Sequence, residues 1–187
     1  MTQAVKLTRL ERYSLSLQLR LLEAAYPDEA DAFSKTREAL ENGYEMLYGW
    51  DMEYIVDGDD VMSSDECKEV WDTLEMFDAI DRATQNSSDP EIADSAFTQF
   101  MGYDGNNETK FMSFARFTME RMGRFDYLRM PKDKYWNSHM PVLETYRRML
   151  AEWRTVDRHS RMNLGADDLK RILSAAVHPQ HQRVGGS

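Results

Sequence analysis

The sequence predicts an all-α fold: a single compact domain of about six to eight helices over residues 1–177, with at most a very short strand pair. Two observations support this prediction. Apolar residues recur at spacings of three and four along most of the chain, as in amphipathic helices. Residues that typically begin or end helices stand at the borders of these stretches. Residues 178–187 have no apolar period and are expected to form a mobile tail, whose final Gly-Gly-Ser could be foreign to the native chain.

The first helix is predicted to begin at Thr8, because Thr8 and Glu11 have the spacing of a capping box. Apolar residues then recur on one stripe, and three further leucines widen it, so we expect this helix to be buried on two sides. The stripe is Leu10, Tyr13, Leu17, Leu21 and Ala24, widened by Leu15, Leu19 and Leu22. Pro27 should end this helix and begin a second one, which is expected to stop at Gly43.

Four further helices follow from similar signals. Ser63 and Glu66 predict a capped helix with Cys67, Val70, Trp71, Leu74, Phe77 and Ile80 on its apolar stripe. Its carboxylates lie mostly outside this stripe, on a face expected to be solvated: Glu69, Asp72, Glu75 and Asp81. A central helix with a phenylalanine face should be capped by Asn106 or Asn107. The last two helices are expected to start at Pro141 and Gly165. The sequence leaves residues 44–62 and 126–140 unassigned.

The charge of the chain is acidic and unevenly spread. There are 23 basic and 33 acidic residues, a net charge of −10, which opposes binding to nucleic acid and anionic membranes at long range. Residues 51–81 hold twelve carboxylates and one lysine, whereas residues 110–171 hold fourteen basic and eight acidic residues. Such halves could attract each other within one chain or between copies, although charge runs are more often solvated faces.

The same composition predicts a cytoplasmic protein. Cys67 is the single cysteine of the sequence and so forms no internal disulfide, which fits a reducing compartment. There is no apolar run of the ~18 residues that a membrane span needs. The N-terminus lacks the basic-then-apolar pattern of a signal peptide.

Several segments together resemble the YfbU family of bacterial proteins. They are ALENGYEM (39–46), VWDTLEMFDAI (70–80), FMGYDGNNETKFMSFARF (100–117), GRFDYL (123–128), PVLETYRRMLAEW (141–153) and LGADDLKRILSA (164–175). The resemblance is colinear from about residue 7 to 176 and lies in the order and number of the segments. It implies an all-helical, self-associating cytoplasmic protein, and it implies no reaction and no catalytic residues.

Motifs of catalysis and metal binding are missing from the sequence. The loops that begin at Asp57 and Asp104 start like EF-hands but lack the glycine at the sixth position and the glutamate at the twelfth. Asp104 is better explained as an Asx-turn ahead of the central helix. His178 and His181 fall in the tail, and no HExxH, GxSxG or phosphate loop occurs. We therefore expect no cofactor and no metal.

The strongest candidate surface lies in the central stretch, where arginines alternate with aromatic residues. It comprises Tyr103, Asp104, Arg116, Arg121, Arg124, Asp126, Tyr127 and Arg129. We predict a non-catalytic, homo-oligomeric protein-interaction or regulatory module, in which these arginines could meet the acidic residues of another copy. The alternative is RNA or single-stranded DNA binding through Arg116–Arg129, where aromatics stack bases and arginines hold phosphates. A third hypothesis is an enzyme that uses Asp104 or Asp126 beside Arg116 or Arg124.

Overall fold

The computed structural model describes residues 5–52, 54–93, 95, 97–125, 127–129 and 135–177. The described residues form seven α-helices and no strand, which confirms the all-α prediction. Chain contacts divide the protein into two compact units, residues 1–61 (unit 1) and 62–187 (unit 2). The expected single domain over residues 1–177 stays a prediction, and the expected tail at 178–187 lies outside the described residues.

Unit 1 is a helical hairpin. Helix α1 spans Arg9–Ala25 and begins with the predicted capping box, in which the Thr8 hydroxyl accepts from the Glu11 amide and the Glu11 carboxylate accepts from the Thr8 amide. A 3-10 turn at Pro27–Glu29 separates it from helix α2, Ala30–Asn42. Gly43, at φ 76°, ends α2 as predicted.

Polar contacts connect the two helices of the hairpin. The Arg37 guanidinium lies 2.7 Å from the Glu23 carboxylate, and Arg12 donates to the Leu40 carbonyl at 3.0 Å. The unassigned residues after α2 contain short 3-10 turns at Glu45–Leu47, Trp50–Met52 and Gly58–Asp60.

Unit 2 is built around helix α3, Ser64–Gln85. Four residues of its apolar stripe, Val70, Leu74, Phe77 and Ile80, are fully buried, whereas Cys67 and Trp71 are partly exposed. Three of the helices that complete the unit pack directly against α3. The helices after α3 are α4 (Pro90–Ala93), α5 (Thr109–Arg116), α6 (Leu143–Thr155) and α7 (Ala166–Ser174).

Aromatic rings fill the centre of unit 2. The Tyr146 ring lies 5.0 Å from that of Phe77 and 5.5 Å from that of Tyr103, both edge to face, an arrangement that adds to the gain from burial. Phe100 joins the same cluster, with its ring 5.7 Å from Tyr103. In place of the very short strand pair that the sequence allowed, the described residues contain an isolated bridge between Tyr103 and Asn137.

One expectation about the start of a helix in unit 2 is corrected. The N-cap of α5 is Glu108 rather than Asn106 or Asn107, because the Asn107 amide donates to the Asp104 carboxylate instead. After Arg116 the helix widens into a π-helical turn, Phe117–Arg121. A π-helical turn has hydrogen bonds from residue i to i+5, so it holds one residue more than an α-helical turn. The side chains after it are therefore rotated about the helix axis.

The capping box of α3 makes a testable contribution to acid stability. Hydrogen bonds from Lys110, 2.6 Å away, and from Ser63 lower the pKa of Glu66 from 4.5 to about 2. A depressed carboxyl pKa stabilises the fold above the unfolded value and loses that contribution as the pH falls from about 4.5 towards 2. We expect Glu66→Gln to flatten the pH dependence of the urea midpoint in this window, with Glu38→Gln, at an exposed carboxylate, as the control. If Glu66→Gln left the pH dependence of the urea midpoint unchanged, the stabilising role of the Glu66 carboxylate would be contradicted.

Candidate interaction surfaces

The stretch GYDGNN (102–107) begins inside unit 2 and ends at its surface, since Gly102 is buried whereas Asn106 and Asn107 are exposed. Tyr103 and Asp104 are both buried, so the interaction surface predicted around them contains neither residue. The Tyr103 amide donates to the Trp136 carbonyl at 2.8 Å, and the Ser138 amide donates to the Tyr103 carbonyl at 3.1 Å. Asp104 accepts from the Asn106 amide at 3.2 Å, which confirms the predicted Asx-turn.

Glu108 is the residue of this stretch whose role the sequence did not indicate. Its buried carboxylate accepts from the amides of Val142 and Leu143 at 2.9 and 2.8 Å, which are otherwise unpaired donors at the start of α6. Its second oxygen accepts from the Asp104 amide at 3.0 Å. One side chain therefore holds together the loop ahead of α5 and the first turn of α6. No local pattern indicates a cap supplied from more than thirty residues away.

The geometry does not support a catalytic carboxylate at Asp104. Its oxygens accept from Asn106 and Asn107, rather than facing Arg116 or Arg124. Burial raises the pKa of Tyr103 and of Tyr146, so both neighbouring phenols stay protonated near neutral pH. The other carboxylate proposed for this role, Asp126, lies outside the described residues.

The arginines of the predicted surface divide into two pairs. Arg129 bonds the buried carboxylate of Asp81, with its Nε at 2.9 Å, and Arg116 lies 2.8 Å from Glu120 of its own helix turn. Arg121 and Arg124 are exposed, and their side chains form no hydrogen bond or ion pair with the described residues. Exposed Phe117 and Met122 are close to them in the chain.

Tyr127 belongs to the same region. Its hydroxyl lies 3.3 Å from the buried carboxylate of Asp78, and the Arg82 guanidinium is 5.5 Å from the centre of its ring. Burial, and then the Asp78 charge, raise the pKa of Tyr127. Tyr127 and Arg129 therefore serve the carboxylates of α3, although the Tyr127 ring remains partly exposed.

Much of the uneven charge is neutralised inside unit 2. Asp72 and Asp81, expected to be solvated, are buried. Burial opposes ionisation of Asp72, but hydrogen bonds from Lys68 and Arg154 outweigh it and lower the pKa. A third carboxylate of α3, that of Glu69, also forms an ion pair, with the Arg147 guanidinium 2.5 Å away. Four basic residues of the second half of the sequence, Lys110, Arg129, Arg147 and Arg154, are thus counter-ions for carboxylates of α3.

Unit 1 exposes the apolar stripe of α1, which corrects the expectation that this helix is buried on two sides. The exposed fractions are 74% for Leu10, 60% for Tyr13, 42% for Leu17 and 72% for Leu21. Helix α2 contacts a different face, which carries Arg12, buried Ser16 and Glu23. A groove of about 370 Å³ between α1 and α2 runs beside the stripe at Tyr13 and Leu17.

Comparison with known proteins places the chain in a family. A family model described as the YfbU domain matches residues 5–175. The chain belongs to the YfbU family. A UPF0304 protein of Methanocaldococcus jannaschii is 30% identical over 173 residues, which are 90% of this chain and 99% of that relative. The resemblance expected from the sequence is confirmed, and neither description states an activity.

The YfbU match spans both units, from the stripe of α1 to the end of α7. No group of three or more His, Cys, Asp or Glu side chains in the described ranges could hold a metal ion. None of the described helices is long and apolar enough to cross a membrane.

Proposed function

We propose that this YfbU protein is a non-catalytic, homo-oligomeric interaction module of the cytoplasm that assembles through the exposed stripe of α1. The observation that carries the proposal is the exposure of Leu10, Tyr13, Leu17 and Leu21 on one helix face. Contiguous apolar surface of this kind mostly marks a protein–protein contact, because leaving it in water forgoes the hydrophobic gain of burial.

The small core of unit 1 supports the proposal. Among its described residues, Ala39, Leu40 and Tyr48 are the buried apolar ones. Further apolar side chains outside α1, including Met46, Trp50 and Tyr54, are largely exposed. A two-helix hairpin with so few buried side chains gains stability when a partner covers its apolar face.

Nucleic-acid binding through Arg116–Arg129 has less support. Arg116 and Arg129 are engaged by Glu120 and Asp81, which leaves two free arginines in the described part of this stretch. The net charge of −10 also opposes contact with phosphates.

The proposal is tested by charging the stripe. Burying two carboxylates in an apolar contact is costly, so Leu17→Asp/Leu21→Asp should raise the dissociation constant of self-association on the order of a hundredfold or more. Analytical ultracentrifugation of the full chain over a concentration series measures this change. Met122→Asp/Met140→Asp, at two half-exposed residues of unit 2, is the matched control and should leave the mass unchanged. An assembly that survives the α1 change would contradict the proposal.

A further inference from the structure

The stripe of α1 has a spacing that is the same in both chain directions. Relative to Leu17, its members stand at −7, −4, 0, +4 and +7, which are Leu10, Tyr13, Leu17, Leu21 and Ala24. At 3.6 residues per turn, all five lie within about 40° of the direction of Leu17. A helix with this arrangement presents the same pattern when its direction is reversed.

We propose that a second copy packs its α1 antiparallel against this face, about a two-fold axis at Leu17. This inference rests on the proposed function and adds the geometry of the contact. A two-fold contact uses the same patch on both copies, so the patch must match its own reversed image. Leu17 then meets Leu17, Tyr13 meets Leu21, and Leu10 meets the small Ala24 of the second copy.

The charges at the two ends of α1 favour the antiparallel direction. Lys6 and Arg9 lie at the N-terminal end, whereas Asp28 and Glu29 follow the C-terminal end. All four are exposed, and none forms a side-chain ion pair with another described residue. An antiparallel pair brings the cations of one copy to the carboxylates of the other, whereas a parallel pair brings like charges together.

The contacts within unit 1 leave the stripe accessible. Ser16, the buried residue of α1, points about 100° away from Leu17, and the ion pairs of Arg37 with Glu23 and of Arg20 with Glu41 hold α2 on that side. Arg20 and Glu23 therefore already have partners. The charges that can favour one relative direction of the two α1 helices are therefore the unpaired ones at the ends of α1.

Single cysteines on the stripe test the axis. In a Cys67→Ala background, Leu17→Cys should give a disulfide-linked dimer under mild oxidation, because a residue on the axis meets its own copy. Leu10→Cys should not, because its two copies would be about 21 Å apart, at 1.5 Å per residue over fourteen residues. A disulfide needs Cα atoms within about 7 Å. A mixture of Leu10→Cys with Ala24→Cys should cross-link, at least tenfold faster than either protein alone.

The outcomes separate this inference from the proposed function. Circular dichroism of each variant checks that the helix content of the chain is unchanged. Cross-linking of Leu10→Cys as fast as Leu17→Cys would indicate parallel helices and overturn the inference. The antiparallel arrangement is also overturned if Leu17→Cys forms no disulfide-linked dimer while Leu17→Asp/Leu21→Asp still dissociates the assembly. In that case the proposed function survives, because assembly still depends on the stripe of α1. If that charged variant has no effect, both fail.

Discussion

Gly102→Ala is expected to destabilise the protein by about 3 kcal/mol or more, through a steric clash in the interior of unit 2. Gly102 has φ +81°, and a Cβ built on it would lie 2.1 Å from the carbonyl carbon and oxygen of Trp136. Since that carbonyl accepts from the Tyr103 amide, the backbone cannot move away without losing the hydrogen bond. Urea unfolding followed by circular dichroism measures the change.

Gly123→Ala is the matched control for this substitution. Gly123 also has a left-handed backbone, at φ +60°, but no atom lies within 4 Å of its added Cβ. Its replacement should therefore cost only the conformational term of about 1 kcal/mol. Equal losses at the two glycines would show that backbone conformation, rather than the contact with Trp136, decides the effect at Gly102.

Glu108→Ala is expected to cost about 3 kcal/mol or more, because it leaves three amide donors without their acceptor. The amides are those of Asp104, Val142 and Leu143. The loss should reach α6, since two of the three donors begin that helix. Hydrogen exchange should show faster opening of α6 relative to α3.

The control for Glu108 is Glu120→Ala. Glu120 also accepts two side-chain hydrogen bonds, from Arg116 and Trp136, but it is exposed. Solvent replaces such bonds readily, so this change should cost less than about 1 kcal/mol. A loss at Glu108 as small as the one at Glu120 would contradict the capping role.

Features set by residues close together in the chain could be predicted from the sequence. The capping boxes at Thr8 and Ser63 and the stop at Gly43 are all present in the structure. Each depends on neighbours within a few positions, so the pattern and the physical cause lie in the same window. The buried stripe of α3 was also predicted, because apolar periodicity marks the face that leaves water.

Features set by distant residues could not be predicted. Asp81 looked solvated because its partner, Arg129, is 48 positions away. The role of Glu108 could not be found because the amides that it caps belong to another helix. Periodicity shows that α1 has an apolar face, but it does not show what covers it. The candidate surface consequently shifted from the arginine-rich stretch to the stripe around Leu17.

Native mass spectrometry of the unmodified full chain tests self-association through α1 most directly. At concentrations on the order of 10 µM, where a specific interface of ordinary size is populated, we expect an even number of copies, because each α1 stripe is covered by one other. Charging Leu17 and Leu21 should reduce that mass. A spectrum that contains only the single chain at this concentration would contradict the account.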